Sequence, residues 1–480
     1  MSAPVLPLPA GFGVALDPDT KLLDDLTLFG ASPARIMRVS PSGRAALDEL
    51  LAGQVRSPTG AVLARRLTDA GLLHPRPAPA PHRLDVTVIV PVRDRAAMLA
   101  RCLDAVGTDR PVVVIDDASR NADEIARVCA ARGATVIRRD VNGGPAAARN
   151  TGLARIDSEF IAFLDSDCVP PADWIDRLSE HLTDPAVAAV APRIGAVGSP
   201  TLAGRYGAVH GSLDLGDREA KVAPLTRVAY VPTAALFVRH SALSDIAAGG
   251  RVFDPELRCG EDVDVIWRLI EAGWRIRYDP SVVVAHDEPD TLRHLLTRRF
   301  RYGTSAGPLA RRHPTSMPPF VIHPWPLATV IALLACKPML AAGSFSSGTA
   351  ALSRTLRAAG VRRVGVARAS ATSAYQTWLG LGRLSTQFAA PALLAAVATP
   401  GRPTRRCAAL TLLLGPPVTT WLARRPTIDP LLFAAIHIAD DIAYGAGVWA
   451  GSIRARTPVA LRPILSHRSL TSSPERHSHG

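Results

Sequence analysis

Continuous apolar runs alternate with amphipathic stretches between residues 84 and 300. The runs LDVTVIVPV, RPVVVIDD, ATVIRR and FIAFLDSD predict four strands, and the stretches between them predict helices near 95–106, 121–132 and 144–155. Strands that are apolar throughout and separated by helices of this length are typical of a parallel sheet covered on both faces. Ligands of such sheets bind beyond the carboxyl ends of the strands. We therefore predict an α/β domain with a mostly parallel sheet, helices on both faces and a site at the strand ends.

The first 74 residues have a different pattern. ARIMRVS alternates as a strand does, PSGRAALDELLAG predicts a capped helix that ends at Gly53, and AVLARRLTDAG predicts a second helix that ends at Gly71. The segment HPRPAPAPHR that follows is too rich in proline to continue a helix. We predict a small module at 1–74, a Pro/Ala linker at 75–83 and the α/β domain at 84–312.

Beyond residue 312 the chain is rich in Ala, Leu and Arg and is broken by Pro and Gly. Its four apolar runs fall at 325–336, 388–399, 407–423 and 431–450. Most are shorter than the roughly 20 apolar residues of a spanning helix, and the longest contains Asp440 and Asp441. Short or re-entrant membrane segments fit this pattern, and so does a soluble helical appendage.

Charge separates these two interpretations. Residues 1–312 hold 38 basic and 38 acidic groups, whereas 313–480 hold 17 basic and 4 acidic ones, which accounts for the net charge of +13. Arginines beside apolar segments are attracted to anionic cytoplasmic lipid, so we predict a helical, membrane-associated region at 313–480. Arginine supplies 52 of the 55 basic residues, which suggests GC-rich coding, and we predict no nucleic-acid partner.

Cysteine usage and the N-terminus indicate the compartment. The six cysteines form no CxxC pair, as expected for reduced thiols that face the cytosol. The start, MSAPVLPLPAGFG, lacks the basic and long apolar regions of a signal peptide. We predict a protein of the cell membrane whose catalytic domain is cytoplasmic.

Acidic side chains follow a predicted buried strand in FLDSD. Asp165 and Asp167 point to the same side of a strand, because side chains alternate with a period of two. Two carboxylates so placed repel each other. A solvated turn tolerates this repulsion, whereas a bound Mg²⁺ or Mn²⁺ attracts both carboxylates and keeps further coordination positions for phosphate oxygens.

Other polar groups follow the neighbouring strands and open a later helix. Arg93 and Asp94 follow the first strand, Asp116 and Asp117 end the second, and the glycines of NGGPAAARNTGL allow a phosphate to approach a helix N-terminus. Helix capping would also explain the Asp pair. Glu261 and Asp262 begin a predicted helix, where the macrodipole favours acidic side chains.

In combination, VTVIVPVRDR, DDAS, GGPAAARNTGL, FLDSD and GED resemble the family 2 glycosyltransferases with a GT-A fold. The resemblance implies Mg²⁺ or Mn²⁺ on Asp165 and Asp167, and a catalytic base at Asp262 or Glu261. His286 becomes a candidate ligand of the metal or diphosphate. The candidate contacts to a UDP-sugar are Pro91, Arg93, Asp94, Asp116, Asp117, Gly144, Arg149, Asn150, Arg298 and Arg299. The QxxRW motif of processive members is absent.

The N-terminal module resembles PqqD-like elements that hold precursor peptides, although a small winged-helix packing domain would show the same pattern. Together with the transferase core and the apolar tail, it resembles the glycosyltransferases of the mycofactocin system. That resemblance implies inverting transfer of glucose from UDP-glucose to a peptide-derived redox cofactor precursor, giving a β-1,4-linked oligosaccharide. Two alternatives remain open at this point: a membrane enzyme with a cell-wall or polyprenyl-lipid acceptor, and a non-catalytic protein that docks peptide through a degenerate transferase domain.

Overall fold

A computed structural model describes residues 6–77, 84–317, 320–358 and 365–465. Residues 78–83 of the predicted linker lie outside the described residues. The chain packs as two compact units. The first comprises Met1–Leu16, Asp48–Leu295 and Arg312–Ser316, and the second comprises Asp17–Leu47, Leu296–Arg311 and Met317–Gly480. The predicted boundaries at 74 and 312 do not coincide with this division, and the domain assignment stays a prediction.

The N-terminal segment contains short strands and two helices. They are β1 (Gly13–Leu16), β2 (Lys21–Asp24), β3 (Thr27–Gly30), β4 (Arg35–Arg38), α1 (Arg44–Leu51), α2 (Pro58–Ala70) and β5 (Leu73–Arg76). The predicted strand is β4, and the two predicted helices are α1 and α2. Gly71 ends α2 with φ 78°, a left-handed conformation that glycine adopts without steric cost.

Helix α2 is fixed to the rest of the first unit by ion pairs. Arg65, which is 1 % exposed, pairs with buried Asp184 at 2.7 Å, and Arg275 forms a two-pronged pair with Asp69. Buried charges are tolerated when they are paired in this way. Residues 48–77 therefore pack as part of the first unit.

The central part of the first unit alternates strands and helices. They are β6 (Val86–Val92), α3 (Ala96–Val106), β7 (Val112–Asp116), α4 (Ala122–Ala130), β8 (Thr135–Arg138), α5 (Pro145–Leu153), β9 (Phe160–Leu164), β10 (Cys168–Val169), α6 (Trp174–Ser179), β11 (Val187–Val197), α7 (Leu202–His210), β12 (Ala220–Lys221), β13 (Ala235–Arg239), α8 (His240–Asp245), α9 (Glu261–Glu271) and β14 (Arg275–Asp287). The three helices predicted near 95–106, 121–132 and 144–155 are α3, α4 and α5.

Among the described residues these strands form one nine-stranded sheet. Its order is β10-β14-β11-β13-β9-β6-β7-β8, and β12 pairs with β14. Strands β9, β6, β7 and β8 are parallel, so their carboxyl ends share one edge. Strand β13 runs antiparallel to both β9 and β11. The predicted α/β class is confirmed, but the sheet is mixed rather than mostly parallel, because apolar runs such as β11 and β13 carry no signal of strand direction.

The second unit is mainly helical. Its C-terminal elements are α10 (Leu292–Thr304, which begins in the first unit), α11 (Ala306–Arg312), β15 (Val321–Ile322), α12 (Pro324–Leu334), α13 (Pro338–Ala358), α14 (Val366–Ala398), α15 (Pro403–Arg424), α16 (Pro430–Arg454) and β16 (Ile464–Leu465). Gly303 of α10 lies so close to α16 that an added Cβ would approach the Tyr444 carbonyl oxygen to 2.2 Å. All four predicted apolar runs lie mainly within helices. In the described residues only α16 is long and apolar enough to span a bilayer, and half of its apolar window is buried.

Candidate active site

The two acids of the DSD sequence lie at the carboxyl end of β9, and each has an arginine partner. Arg149 of α5 donates through Nη2 to Asp165 Oδ1 at 2.7 Å, and Arg95 pairs with Asp167. Asp165 also donates its backbone N–H to the Ala234 carbonyl at 2.8 Å, which fixes the start of the loop. The repulsion between the carboxylates is therefore offset by two guanidinium groups. Arg95 is half-exposed, so it can also turn toward an anionic ligand.

His286 faces the same loop from β14. It lies opposite Cys168 in the β10–β14 pairing, and its Nε2 is 3.8 Å from Asp167 Oδ1. Its Nδ1 lies 3.4 Å from Oε1 of buried Glu288. Two carboxylates and an imidazole suit a divalent cation such as Mg²⁺ or Mn²⁺, and a carboxylate behind the imidazole is a common support for such a ligand. Within the described ranges, however, no three acidic, His or Cys side chains are close enough together to form a metal cluster.

The GED sequence begins α9. Gly260 caps the helix with φ 83°, a conformation that other residues adopt only with strain, and Glu261 and Asp262 occupy the first turn. Arg149 Nη1 donates to Glu261 Oε1 at 2.8 Å. Asp262 accepts only from the Val263 N–H among the hydrogen bonds of the described residues, at 2.8 Å. The two neighbouring acids therefore differ, because an arginine holds Glu261.

The electrostatics of α9 distinguish Asp262 further. Loss of solvent contact, followed by the adjacent Glu261 carboxylate, raises the pKa of Asp262 to about 7. Burial disfavours the charged form of a carboxyl, and a nearby like charge acts in the same direction. A carboxyl with a pKa near the working pH can accept a proton and release it again, as a general base must.

Arg149 links the two acidic sequences. It is 2 % exposed, bonds both Asp165 and Glu261, and lies 5.7 Å from the ring centroid of Phe253. Buried guanidinium groups are stabilised by two-pronged contacts to carboxylates and by aromatic faces. One buried cation thus brings together sequences that are 96 residues apart in the chain, from Asp165 to Glu261.

The DDAS aspartates are buried and bonded within the first unit. Asp116 accepts from the Ser119 N–H at 2.8 Å and from Arg138 at 2.5 Å. Asp117 accepts from the Gly143 N–H at 3.0 Å and the Gly144 N–H at 2.7 Å, and it pairs with Arg139. Asp117 therefore shapes the glycine loop that opens α5.

The remaining sequence-predicted residues of this unit lie in β6, just beyond it, or at the start and middle of α5. Arg93 and Asp94 are exposed beyond β6, and Pro91 lies in β6 opposite Ile115. Gly144 caps α5 with φ 82°. The Asn150 side chain is held by three hydrogen bonds. Its amide nitrogen donates to the Phe253 carbonyl, and its amide oxygen accepts from the Val252 and Phe253 N–H groups.

Arg298 and Arg299 belong to the second unit. Arg299 forms a two-pronged pair with buried Asp440, at 2.6 and 2.8 Å, which joins α10 to α16. The assignment of Arg298 and Arg299 as contacts to the UDP-sugar stays a prediction.

Sequence reasoning missed several supporting side chains. Arg95 is part of the sequence PVRDR, so its position just after a predicted strand could have indicated that it lies near the site. Arg138 and Arg139, which contact the DDAS acids, end a predicted strand and could also have been found. Glu288 lies two residues beyond His286, and no motif in the surrounding sequence indicates that it is buried.

His313, also missed, packs against α9. Its Nε2 lies 3.1 Å from Asp264 Oδ1, its Nδ1 lies 2.8 Å from Glu271 Oε1, and its ring is edge-on to Trp267. Burial opposes protonation, but the bonds to Asp264 and Glu271 outweigh it and raise the pKa of His313 above 6.5. The imidazole therefore connects two turns of the helix that carries Asp262.

We expect His313→Ala to lower the free energy of unfolding by roughly 1–3 kcal/mol, because it leaves hydrogen-bonding groups of α9 unsatisfied. A folded-state pKa above the unfolded value of 6.5 means that the contribution is complete below that pH and is lost as pH rises through the folded pKa. Denaturant unfolding of wild type and variant across pH measures this. The matched change of exposed His294 to Ala should have little effect on the free energy of unfolding. A difference between wild type and His313→Ala that grows as pH rises would contradict the assignment.

The comparison with family models concerns the same region. Residues 87–245 match the model for glycosyl transferase family 2, and this span contains the DDAS, glycine-loop and DSD sequences. Together with the mixed sheet and its acidic strand ends, this defines a glycosyltransferase of family 2 with a GT-A fold.

Relatives extend the similarity to the whole chain. The chain is 40% identical over 476 residues to the pre-mycofactocin glycosyltransferase of Mycobacterium tuberculosis, and the match covers 95% of this chain and 98% of that one. Glycosyltransferase AglE of Haloferax volcanii is 28% identical over 229 residues, with 45% and 71% coverage. A solved structure of a mannosyltransferase from Pyrobaculum calidifontis, in complex with GDP-Man and Mn²⁺, has a TM-score of 0.45 at 20% identity and covers 78% of this chain and 89% of that one. The chain belongs to the family of pre-mycofactocin glycosyltransferases.

Proposed function

We propose that this protein is an inverting glycosyltransferase that moves glucose from UDP-glucose to pre-mycofactocin and builds a β-1,4-linked oligosaccharide. Similarity at 40% identity along nearly the whole chain supports the acceptor. The observation that carries the chemistry is the position of Arg149, 2.7 Å from Asp165 and 2.8 Å from Glu261, because it joins the candidate metal acids and the candidate base in one site.

Asp165, Asp167 and His286 are the proposed ligands of Mg²⁺ or Mn²⁺, and their side chains would have to move closer together to hold the cation. A bound divalent cation would disperse the charge that develops on the diphosphate as the anomeric C–O bond breaks. Within the chain itself, Arg95 is placed beside Asp167 and has enough exposure to contact the leaving diphosphate. Arg149 fixes the position of the Asp165 carboxylate through its hydrogen bond.

Asp262 is the proposed base. Its carboxylate accepts the proton of the acceptor hydroxyl as that oxygen attacks the anomeric carbon from the face opposite the diphosphate, and displacement of this kind inverts the centre. The raised pKa of Asp262 suits this exchange near neutral pH. Glu261 is the weaker candidate because its carboxylate is bonded to Arg149.

We propose that the nucleotide binds along the ends of β6 and β7. Arg93 and Asp94 are exposed there, while Asp116 and Asp117 fix the loops that would surround the base and ribose. Gly144 opens α5 with its own N–H donated to Asp117, and the positive end of the α5 dipole at this point would favour the diphosphate. For Arg299, the pair with Asp440 supports a different role, which is to fix α10 to α16.

Residues 1–74 are the proposed recognition module for the peptide-derived acceptor. The packing of α2 through Arg65 and Asp69 supports this, because it places residues 48–77 in the compact unit that contains the transferase site. A lipid-linked acceptor is the second candidate. It is favoured by the large apolar side chains exposed on the helices of the second unit.

We expect a panel of nucleotide sugars, incubated with the protein, acceptor and Mn²⁺, to give product with UDP-glucose before any other donor. Linkage analysis of the purified product should show β-1,4 bonds. A preference for a different nucleotide sugar, or an α-linked product, would contradict the donor and inversion assignments.

We also propose that the second unit attaches the enzyme to the cytoplasmic face of the cell membrane. We expect the full-length protein in the membrane fraction of cells, resistant to a high-salt wash and released by detergent, since salt screens arginine contacts but does not reverse apolar burial. Immunoblots of successive washes measure this. Recovery in the soluble fraction without either wash would contradict the attachment and leave the transferase site untouched.

A further inference from the structure

Large apolar side chains point outward from the helices of the second unit. The α12–α13 hairpin carries them at its tip, defined here as residues 331–340, where Leu333 is 57 %, Met339 83 % and Leu340 61 % exposed. Helix α15 carries a second set at Leu410, Leu414, Val418 and Leu422. A spacing of four residues keeps these side chains on one face of the helix. Contiguous exposed apolar surface of this kind marks an interaction site.

A groove of about 440 Å³ lies beside the hairpin tip, between α12, α14 and α15. Leu333 and Cys336 line it from the hairpin, Tyr375 from α14, and Cys407 and Thr411 from α15. The Thr411 hydroxyl donates to the Cys407 carbonyl of its own helix at 2.7 Å. The lining is otherwise almost entirely apolar, so the groove suits an alkyl chain better than a polar ligand.

Basic side chains adjoin this apolar surface. Lys337 follows Cys336 in the hairpin tip, and Arg405 and Arg406 precede Cys407, and all three are exposed. Residues 313–428 contain twelve basic residues and no acidic residue. An apolar surface beside cations, in a segment that contains no acid, is complementary to an anionic bilayer, which attracts basic residues at its surface.

We propose that the second unit docks on anionic phospholipid by inserting the hairpin tip, and that the groove holds one acyl chain of a lipid whose phosphate contacts Lys337, Arg405 and Arg406. This deepens the proposed membrane attachment and rests on it. The apolar side chains of the hairpin tip and of the α15 face enter the acyl region, while Lys337, Arg405 and Arg406 stay at headgroup depth. Half of the apolar window of α16 is buried, which leaves that helix to hold the unit together.

Flotation of the full-length protein with lipid vesicles tests the docking surface. We expect stronger binding to phosphatidylglycerol-containing vesicles than to pure phosphatidylcholine, with the difference reduced by salt. The double change Leu333→Glu and Met339→Glu should lower vesicle binding at least tenfold, whereas Val62→Glu, at an exposed helical position of the first unit, should not. Circular dichroism establishes that each variant is folded. Equal binding by wild type and the double variant would overturn the docking surface.

Thiol labelling tests the groove separately. Cys336 and Cys407 line the groove and are exposed, while partly exposed Cys259 lies in the first unit and serves as an internal control. We expect phosphatidylglycerol vesicles, and a short-chain phosphatidylglycerol below its micelle concentration, to slow maleimide labelling of Cys336 and Cys407 but not of Cys259. Vesicle binding without this protection would overturn the acyl-chain groove and leave the attachment standing. Absence of wild-type vesicle binding would overturn both.

Discussion

Replacing Asp262 by Asn is expected to leave donor binding intact and to lower the rate of sugar transfer by roughly 10²–10⁴-fold, the usual contribution of a general base. The amide preserves the shape of the side chain but cannot accept the proton of the acceptor hydroxyl. Single-turnover transfer assays and calorimetry with UDP-glucose measure the two effects separately.

Glu261→Gln is the matched control for this change. We expect a smaller loss of rate, because the Glu261 carboxylate is bonded to Arg149, which makes it less available to accept the proton of the acceptor hydroxyl. The pH profile adds a second readout: a base must be ionised, so wild-type transfer should rise with pH up to about 7, the pKa of Asp262, or up to a lower pH if a bound cation stabilises the carboxylate. Equal losses in both variants, or unchanged transfer in Asp262→Asn, would place the base elsewhere.

Replacing Asp167 by Ala is expected to abolish the metal-dependent part of donor binding while leaving the fold intact. The side chain lies at a strand end and contacts Arg95 and His286 rather than filling the apolar core. Calorimetry with UDP-glucose, with and without Mn²⁺, measures the change.

Asp173→Ala is the matched control for the Asp167 variant, since Asp173 is an exposed acid that does not cap the helix after it through its side chain. We expect it to keep both the donor affinity and the increase with Mn²⁺. An Asp167→Ala protein that also keeps the Mn²⁺-dependent increase would show that the metal binds elsewhere.

The four parallel strands β6, β7, β8 and β9, and the grouping of DDAS, DSD and the glycine loop, could be predicted from the sequence. Parallel strands place their carboxyl ends on one edge, so residues that follow β6, β7 and β9 must be neighbours. Strands β1, β2, β3 and β5 were not predicted, because four-residue segments carry little periodic signal. Strands β10 to β13 of the sheet were not predicted either.

Contacts between residues far apart in the chain could not be predicted. Arg149 and Glu261 are 112 residues apart, and Arg299 and Asp440 are 141 apart. No local pattern shows that the first arginine joins two acidic sequences, or that the second pairs with an acid inside a helical unit. The two hydrogen bonds of His313 were missed for the same reason, since its partners on α9 lie more than 40 residues earlier in the chain.

The most direct test of the proposed function is incubation of the purified full-length protein with UDP-glucose and the isolated peptide-derived acceptor, with Mn²⁺ or with EDTA, read by mass spectrometry. We predict that the acceptor gains one or more hexoses as UDP is released, that EDTA stops the gain, and that added Mn²⁺ restores it. An acceptor that keeps its mass with every nucleotide sugar supplied, or transfer that proceeds equally in EDTA, would contradict the metal-dependent transferase site built on Asp165, Asp167 and Asp262.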